Sequence, residues 1–323
     1  MKYENKYFRF DIPKKFNLRK DFAAFCFSCL YKAVMNLCKP KNIMQKKYKV
    51  SICAIFKNES LYLREWIEYH KIVGIEHFYL YNNNSEDDYD SVLASYIADG
   101  IVTLIQWPMA QGQTQAYNDC IENYAHETEW LSFIDIDEFI YPNKTENVYD
   151  FLRPFQKNRP VVLAYWKCFG ADGKIARDMN SLVIESFTKC REKYSTVSKI
   201  FYNTAYSFDK NDRHNTALHH TAWGKYKNTA LPPVNVYDKV CVLGRNPVPK
   251  NAVPAHFPLQ INHYVTKSYQ EYVDKTSKGD VYFKVNPHGE EHFLRNERIN
   301  YKSQDFQIWE YLVRLKLAME KKV

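Results

Sequence analysis

Lys49-Val-Ser-Ile-Cys-Ala-Ile-Phe56 is a short apolar run, and its surroundings decide the fold. A run of this length, apolar at successive positions, reads as a strand buried on both faces, as in a parallel sheet. Asn58 or Ser60 can cap a following helix in which Trp66, Ile67, His70 and Val73 share a face and which Gly74 closes. His77-Phe-Tyr-Leu-Tyr81 is the next strand and Asn82 to Asp88 a polar loop. Tyr89, Val92, Leu93, Tyr96 and Ile97 mark a second helix, closed by Gly100. A third strand covers Ile101 to Trp107, a third helix about 114–126, and a fourth strand Trp130 to Ile134. Strands alternating with helices predict right-handed crossovers and an α/β fold with a mostly parallel central sheet. Such sheets bind ligands beyond the carboxyl ends of their strands.

The order is less regular after residue 150. Val161 to Phe169 and Ile261 to Val265 read as strands, 181–206 as strand segments with an intervening loop, 207–260 as long loops with short strands, and 268–278 and about 303–321 as helices. Before the sheet, Phe22, Phe25, Cys26, Cys29, Leu30, Ala33, Val34 and Leu37 form the stripe of an amphipathic helix. Lys14, Lys15, Arg19 and Lys20 precede it, and Lys39 and Lys41 follow. Such an arm either lies on an anionic membrane surface or packs on the main domain. The chain thus divides into a basic N-terminal helical arm (1–46), a main domain (47–290) and a C-terminal helical extension (291–323).

Composition narrows the function classes. Hydrophobic residues are 46 % of the 323, enough for a sizeable core, so global disorder is excluded. The 26 Tyr and 20 Phe suit a carbohydrate or nucleotide surface, as they suit an AT-rich coding sequence. Residues 1–49 carry 13 Lys/Arg against 3 Asp/Glu, residues 50–150 carry 4 against 18, and residues 151–323 carry 28 against 16. The acidic middle is suited to a cation, and the basic flanks to phosphates or anionic lipid. The basic residues are dispersed and no recognition motif appears, so nucleic acid is not expected as a partner. Among the eight Cys, Cys26-Phe-Ser-Cys29 is the only CxxC and lacks a second pair, which argues against zinc; the usage suits a reducing cytoplasm.

Asp135-Ile-Asp137-Glu138 is the sharpest local signal. Three carboxylates in four residues repel one another unless a cation or several donors sit there. On a continuing strand, Asp135 and Asp137 would point the same way and could share one Mn²⁺ or Mg²⁺; an acidic turn is the alternative. Lys57-Asn58-Glu59 and the loop containing Asn82, Asn83 and Asp87 can hydrogen-bond a base and ribose, or cap helices. His263 can ligate a divalent metal, or be a buried strand histidine. Lys267 can neutralise a diphosphate leaving group or be solvated. His219-His220 is open in the same way.

These pieces together resemble glycosyltransferase family 92 over roughly residues 49–285. They are Ile52-Cys-Ala-Ile-Phe-Lys57-Asn58-Glu59, Tyr62-Leu-Arg-Glu65-Trp66-Ile-Glu-Tyr69-His70, Gly74-Ile-Glu-His77-Phe-Tyr-Leu-Tyr81-Asn82, Gln115-Ala-Tyr-Asn118-Asp-Cys120, Trp130 to Phe139, Trp166 with Phe169-Gly170, Ser198-Lys199-Ile200, and Ile261-Asn262-His263-Tyr264 with Lys267-Ser268. The resemblance implies a GT-A-type fold, a UDP-linked sugar donor, Mn²⁺ (or Mg²⁺) and inversion at the anomeric carbon. It implies Asp135, Asp137 and His263 at the metal. It places Lys57, Asn58 and Glu59 near the uridine and Asp135 at the nucleotide; Asn82, Asn83, Asp87, Asn118, Lys199 and Lys267 are the further expected nucleotide contacts.

An inverting transfer also needs a carboxylate base on the acceptor hydroxyl. Asp172, Glu185 and Glu192 follow the acidic motif and are the candidates. The expected acceptor is a glycan or lipid-linked glycan in cell-surface polysaccharide synthesis. The expected location is cytoplasmic, peripheral at the inner face of the membrane through residues 1–46, since no secretory or spanning segment is evident. The competing classes are a metal-dependent phosphoester hydrolase or nucleotidyltransferase, and a non-catalytic nucleotide-sugar-binding protein.

Overall fold

The computed structural model describes residues 18–41, 45–192, 195, 197–212, 215, 218–242, 257–277 and 289–320. Residues 1–17 of the expected arm, with Lys14 and Lys15, lie outside them. Helix α1 (Leu18–Leu37) leads into β1 (Tyr48–Phe56), α2 (Ser60–Ile72), β2 (His77–Asn82), α3 (Tyr89–Ala98), β3 (Val102–Gln106), α4 (Gln113–Tyr124) and β4 (Thr128–Phe133). The alternation expected for this stretch is present. Val50 to Phe56 are all buried. Ile52, Ala54 and Phe56 pack with Leu63, Trp66 and Ile67 of α2, and Cys53 and Ile55 with Ala116, Tyr117 and Cys120 of α4. Helices on both faces are why the strand carries no polar side.

The second half is built from shorter pieces: β5 (Glu138–Tyr141), α5 (Val148–Leu152), β6 (Val161–Cys168), α6 (Val183–Ser186), β7 (Lys189–Cys190), β8 (Ser198–Asn203), β9 (Ser207–Phe208), β10 (Gly224–Tyr226), β11 (Thr229–Leu231), β12 (Val234–Asn235), β13 (Gln260–His263), α7 (Tyr269–Ser277), α8 (Glu290–Asn300), β14 (Ser303–Gln304) and α9 (Leu312–Glu320). The main sheet runs β3-β2-β1-β4-β8-β6-β13-β5, with β12 also on β6. β8 is antiparallel to both β4 and β6, and β5 is antiparallel to β13; the other pairings in this sheet are parallel. The mostly parallel α/β sheet is therefore observed, with a helix at each end of the chain. Residues 181–206, expected as strand segments with an intervening loop, hold β7 and β8 and also the short helix α6, and neither α6 nor α8 was anticipated.

The C-terminal extension folds back on the sheet domain. The Arg64 guanidinium of α2 donates to the Met319 carbonyl (2.8 Å), and the Trp309 indole N–H donates to Ile184 O (2.9 Å). Lys167 and Asp305 form a buried ion pair.

Two expected helix caps are corrected. Asn58 does not cap α2: its own backbone is left-handed (φ 53°) and its side-chain oxygen accepts from Glu86 N (2.7 Å). Ser60 lies inside the helix, and its N–H is capped by Asp87 Oδ2 from across the loop (2.7 Å). A carboxylate there also complements the positive end of the helix dipole.

Candidate functional site

The acidic motif stands where β4 gives way to β5. The chain turns there, with Glu138 N donating to Asp135 O (3.0 Å), rather than continuing as strand. The turn overrides the period-2 alternation, so the two aspartates do not share a face as expected.

Helix α2 holds β5 in place. The Trp66 indole N–H donates to Glu138 O (2.8 Å), the Tyr69 hydroxyl donates to Ile140 O (2.9 Å), and His70 Nε2 accepts from Ile140 N (3.1 Å). Burial lowers the His70 pKa to about 3, so the ring is neutral and able to accept. The Trp66-to-His70 segment thus positions the strand that carries the site.

Asp135 faces Lys199. The Lys199 ammonium, fully buried in β8, lies 2.8 Å from Asp135 Oδ2 and 3.1 Å from Glu138 Oε2. Burial opposes its charge, but the two carboxylates raise its pKa. Gln113 Nε2 and the Tyr117 hydroxyl lie 3.3 and 3.4 Å from Asp135 Oδ1. Glu138 Oε2 also accepts from Asp135 N (2.9 Å), while its Oε1 is buried without a hydrogen-bond partner. Burial pushes the Glu138 pKa up to about 7.

Asp137 meets His263. Strand β13 lies between β5 and β6, and His263 is level with Glu138 on one side and Cys168 on the other. This register brings His263 Nε2 to 3.5 Å from Asp137 Oδ2, and Lys275 of α7 contacts the same oxygen. Burial alone would raise the Asp137 pKa, but Lys275 and His263 hold it well below the usual range. Burial would lower His263, yet Asp137 pushes it up to about 10. Trp166 packs on the His263 ring, with centroids 4.4 Å apart.

Helix α7 is anchored by a capping box. Ser268 Oγ donates to Glu271 Oε2 (2.6 Å) and accepts from Glu271 N (3.3 Å). Glu271 Oε1 also accepts from the Tyr62 hydroxyl (3.0 Å) and the Arg177 guanidinium (3.1 Å). One turn later on the same face comes Lys275. Lys267, left-handed at φ 50°, places its buried ammonium 3.5 Å from the Tyr62 ring centre. Burial lowers its pKa, against the pull of Glu59 and Asp137. Asn58, Glu59, Tyr62, Lys267, Asp274 and Lys275 line a cavity of about 380 Å³, together with Asp87 and Glu271.

The structure therefore brings Asp135, Asp137, Lys199 and His263 to one end of the sheet, with Asn58, Glu59, Asp87 and Lys267 on the adjoining cavity. Asn82 and Asn83 are used in building the loop. Asn82 Nδ2 donates to Gln106 Oε1 (2.8 Å), and Asn83 Nδ2 donates to Trp107 O (2.7 Å) and Met109 O (2.9 Å). Lys57 and Asn118 are half-buried on β1's exit and α4.

The three base candidates separate. Asp172 accepts from Thr188 N (3.0 Å) and Lys189 N (2.7 Å), which gives its carboxylate a structural load. Glu185 pairs with Lys316 at the surface (2.6 Å). Glu192 is exposed and directly follows Arg191, whose N–H donates to Cys168 O (3.0 Å), beside His263 in the sheet.

Lys275 was not anticipated from sequence; the available signal was the Ser268-x-x-Glu271 cap, which fixes the face on which residue 275 falls. His220 is a structural histidine. Its Nδ1 bonds Ser198 O (2.9 Å), and burial lowers its pKa to about 4.

A divalent ion is the group the motif calls for. Among the described residues, no cluster of three or more His, Cys, Asp or Glu is gathered to hold one. Asp137 Oδ2 and His263 Nε2 do converge, and the Lys275 ammonium shows that this corner accepts positive charge. The unpartnered Glu138 Oε1 is spare acceptor capacity beside them. Two protein donors, with substrate phosphate and water completing the shell, fit the habits of Mg²⁺ and Mn²⁺.

Comparison with known proteins places the chain. A Glycosyltransferase family 92 protein of Ricinus communis is 34 % identical over 110 residues, 34 % of this chain and 20 % of that protein. A beta-1,4-galactosyltransferase of Caenorhabditis elegans is 32 % identical over 109 residues, 29 % of this chain and 26 % of that protein. The matched stretches thus span about a fifth to a quarter of the relatives' own lengths. The crystal structure of S. aureus TarS 1-349 superposes with a TM-score of 0.34 at 16 % identity, over 49 % of this chain and 47 % of that one, too loosely to assign anything. The family Glycosyltransferase family 92 itself matches residues 46–307, most of the chain and all of the site described above. The chain belongs to glycosyltransferase family 92.

Proposed function

We propose that the protein is a GT-A-type, metal-dependent, inverting glycosyltransferase that moves a sugar from a UDP-linked donor to a glycan acceptor. The observation that carries this reading is the convergence of His263 and Lys275 on Asp137, beside a cavity lined by Lys267, in a family 92 chain.

Asp137 and His263 are the residues that would hold Mn²⁺ or Mg²⁺, which when bound offsets charge on a departing diphosphate. Lys267 and Lys275 add two ammonium groups to the side of the cavity where that charge grows. Asn58 and Glu59 offer polar groups to the nucleoside. Asp135, braced by Lys199 yet with its side chain 35 % exposed, offers a carboxylate to the donor. Glu192 takes the proton of the acceptor hydroxyl as that oxygen attacks the anomeric carbon, opposite the departing UDP. A cell-surface glycan is the acceptor class proposed.

The test is a thermal-shift titration with UDP, with and without Mn²⁺, followed by UDP release from UDP-sugars. Mn²⁺-dependent stabilisation of about 2.7 kcal/mol is expected at a hundredfold excess over Kd. Turnover is expected only with an acceptor present; turnover without one would move the protein to the hydrolases, and no nucleotide binding would sink the proposal. In the same assay Glu192→Gln is expected to lower kcat about 10²-fold with little change in KM. A kcat equal to wild type removes Glu192 as the base.

A further inference from the structure

Helix α1 is apolar on two opposite faces. Its inner face docks on the domain: Ala24 and Met35 are buried, Tyr31 meets Trp223 edge-on at 5.5 Å, and Lys32 pairs with Asp238 (2.9 Å). Asn36 Oδ1 accepts from Asn158 Nδ2 (2.7 Å). The amphipathic stripe seen in the sequence is the other face. Phe22 is 66 % exposed, Phe25 65 %, Leu30 56 % and Leu37 82 %, and Cys26, Cys29 and Ala33 are exposed with them. At ~100° per residue these seven positions fall within an arc of about 140°. Of the expected stripe only Val34 turns inward. The helix therefore packs on the domain and still presents the stripe outward.

We propose that this outer face of α1 docks on an anionic lipid surface. A contiguous exposed patch of aromatic and aliphatic side chains marks an interaction site. Its charge surroundings select the partner. Arg19 and Lys20 stand exposed at the start of the stripe, Lys39 and Lys41 follow its end, and Asp21 is the one acidic residue of the helix. The seventeen residues before the helix add Lys2, Lys6, Arg9, Lys14 and Lys15 against Glu4 and Asp11. Apolar side chains inserted among acyl chains, with flanking cations on headgroup phosphates, satisfy both features at once. A second copy on this face would set like charges against each other. Among the described residues no helix is long and apolar enough to cross a membrane.

Helix α1 meets the domain beside Asn158 and Arg159, just before β6, whereas His263 pairs with Cys168 at the far end of β6. The seven rises of ~3.3 Å from Val161 to Cys168 separate the two ends of β6 by about 23 Å.

The test is flotation of the full chain with vesicles of phosphatidylcholine alone and of phosphatidylcholine with one-third phosphatidylglycerol. Wild type is expected to float with the anionic vesicles, and to be released when salt is raised to ~0.5 M. Phe22→Ser/Phe25→Ser/Leu30→Ser is expected to reduce binding at least ~10-fold while its melting temperature stays that of wild type, because those side chains are exposed in the fold. Arg19→Glu/Lys20→Glu should weaken binding to the anionic vesicles. Absence of flotation by wild type, or salt-insensitive binding equal on both vesicles, overturns the proposal. So does a folded triple variant that floats as wild type does, or a wild-type dimer that the triple variant converts to monomer without any vesicle binding.

Discussion

Asp137→Asn is expected to lower kcat by about 10³-fold and to abolish the Mn²⁺-dependent part of UDP stabilisation. The substitution keeps the shape of the side chain and removes its charge. In the native protein that charge is shared by Lys275 and by His263 at 3.5 Å, with Lys267 contributing from a greater distance. Without it the Lys275 and Lys267 ammonium groups face a neutral amide, His263 loses the charge that raises it, and a divalent ion would enter a corner with no anionic donor. The fold should survive: Asp137 O still accepts from Tyr264 N (2.9 Å), so the backbone link between the turn and β13's exit is untouched. Steady-state kinetics with saturating acceptor, paired with thermal shifts in UDP and Mn²⁺, reads both effects. A variant within tenfold of wild-type kcat would show that Asp137 has no part in the chemistry.

The second large effect concerns stability. Lys199→Met is expected to cost about 3–5 kcal/mol at pH 8, read by urea unfolding. The methionine fills the same space but leaves the fully buried Glu138 without its partner, and Asp135 loses one of its own. The loss should shrink towards pH 5. Glu138 is already raised to about 7 by burial, and removing Lys199 raises it further. A carboxyl with a raised folded pKa binds its proton more tightly when folded. Its contribution is therefore fully present below the unfolded value near 4.5 and is lost as pH rises through the folded one. Glu138→Gln added to Lys199→Met should recover much of the loss at pH 8. A single variant equally destabilised at both pH values, or by less than about 1 kcal/mol, would mean that the buried charges are not coupled as their geometry indicates.

Both variants act at a turn whose composition was legible and whose shape was not. The carboxylates of Asp135, Asp137 and Glu138 stand out in the chain, and their place after the fourth strand followed from the preceding alternation. Their directions did not follow. A strand continued through the motif would have aimed Asp135 and Asp137 together; the hydrogen bond from Glu138 N to Asp135 O turns the chain instead. Asp135 goes to Lys199 on β8 and Asp137 to His263 on β13, partners 64 and 126 positions further along. Whether such residues meet depends on strand order, and order is a property of the folded sheet. The helix caps show the same limit on a smaller scale. Asn58 and Ser60 have the chemistry of caps, but Asp87 comes close enough to serve only because β1 and β2 lie side by side.

From sequence alone came the α/β alternation of residues 48–133, the strands β6 and β13, the helices α7 and α9, the acidic cluster, the family resemblance and the stripe on α1. Each rests on local periodicity or on neighbouring residue types, which a chain carries whether or not it is folded. Tertiary structure decided the rest. Strands of two or three residues, as most beyond β6 are, are too short to show a period, and β8 and β13 gain their places in the sheet by pairing with strands distant in sequence. The same holds for the amphipathic arm. Its apolar stripe was visible, but only docking of the opposite face, through Met35, Tyr31 and Lys32, determined that the stripe faces outward. Periodicity says that a face is apolar; what covers it is settled by the competition among all the surfaces the fold brings together.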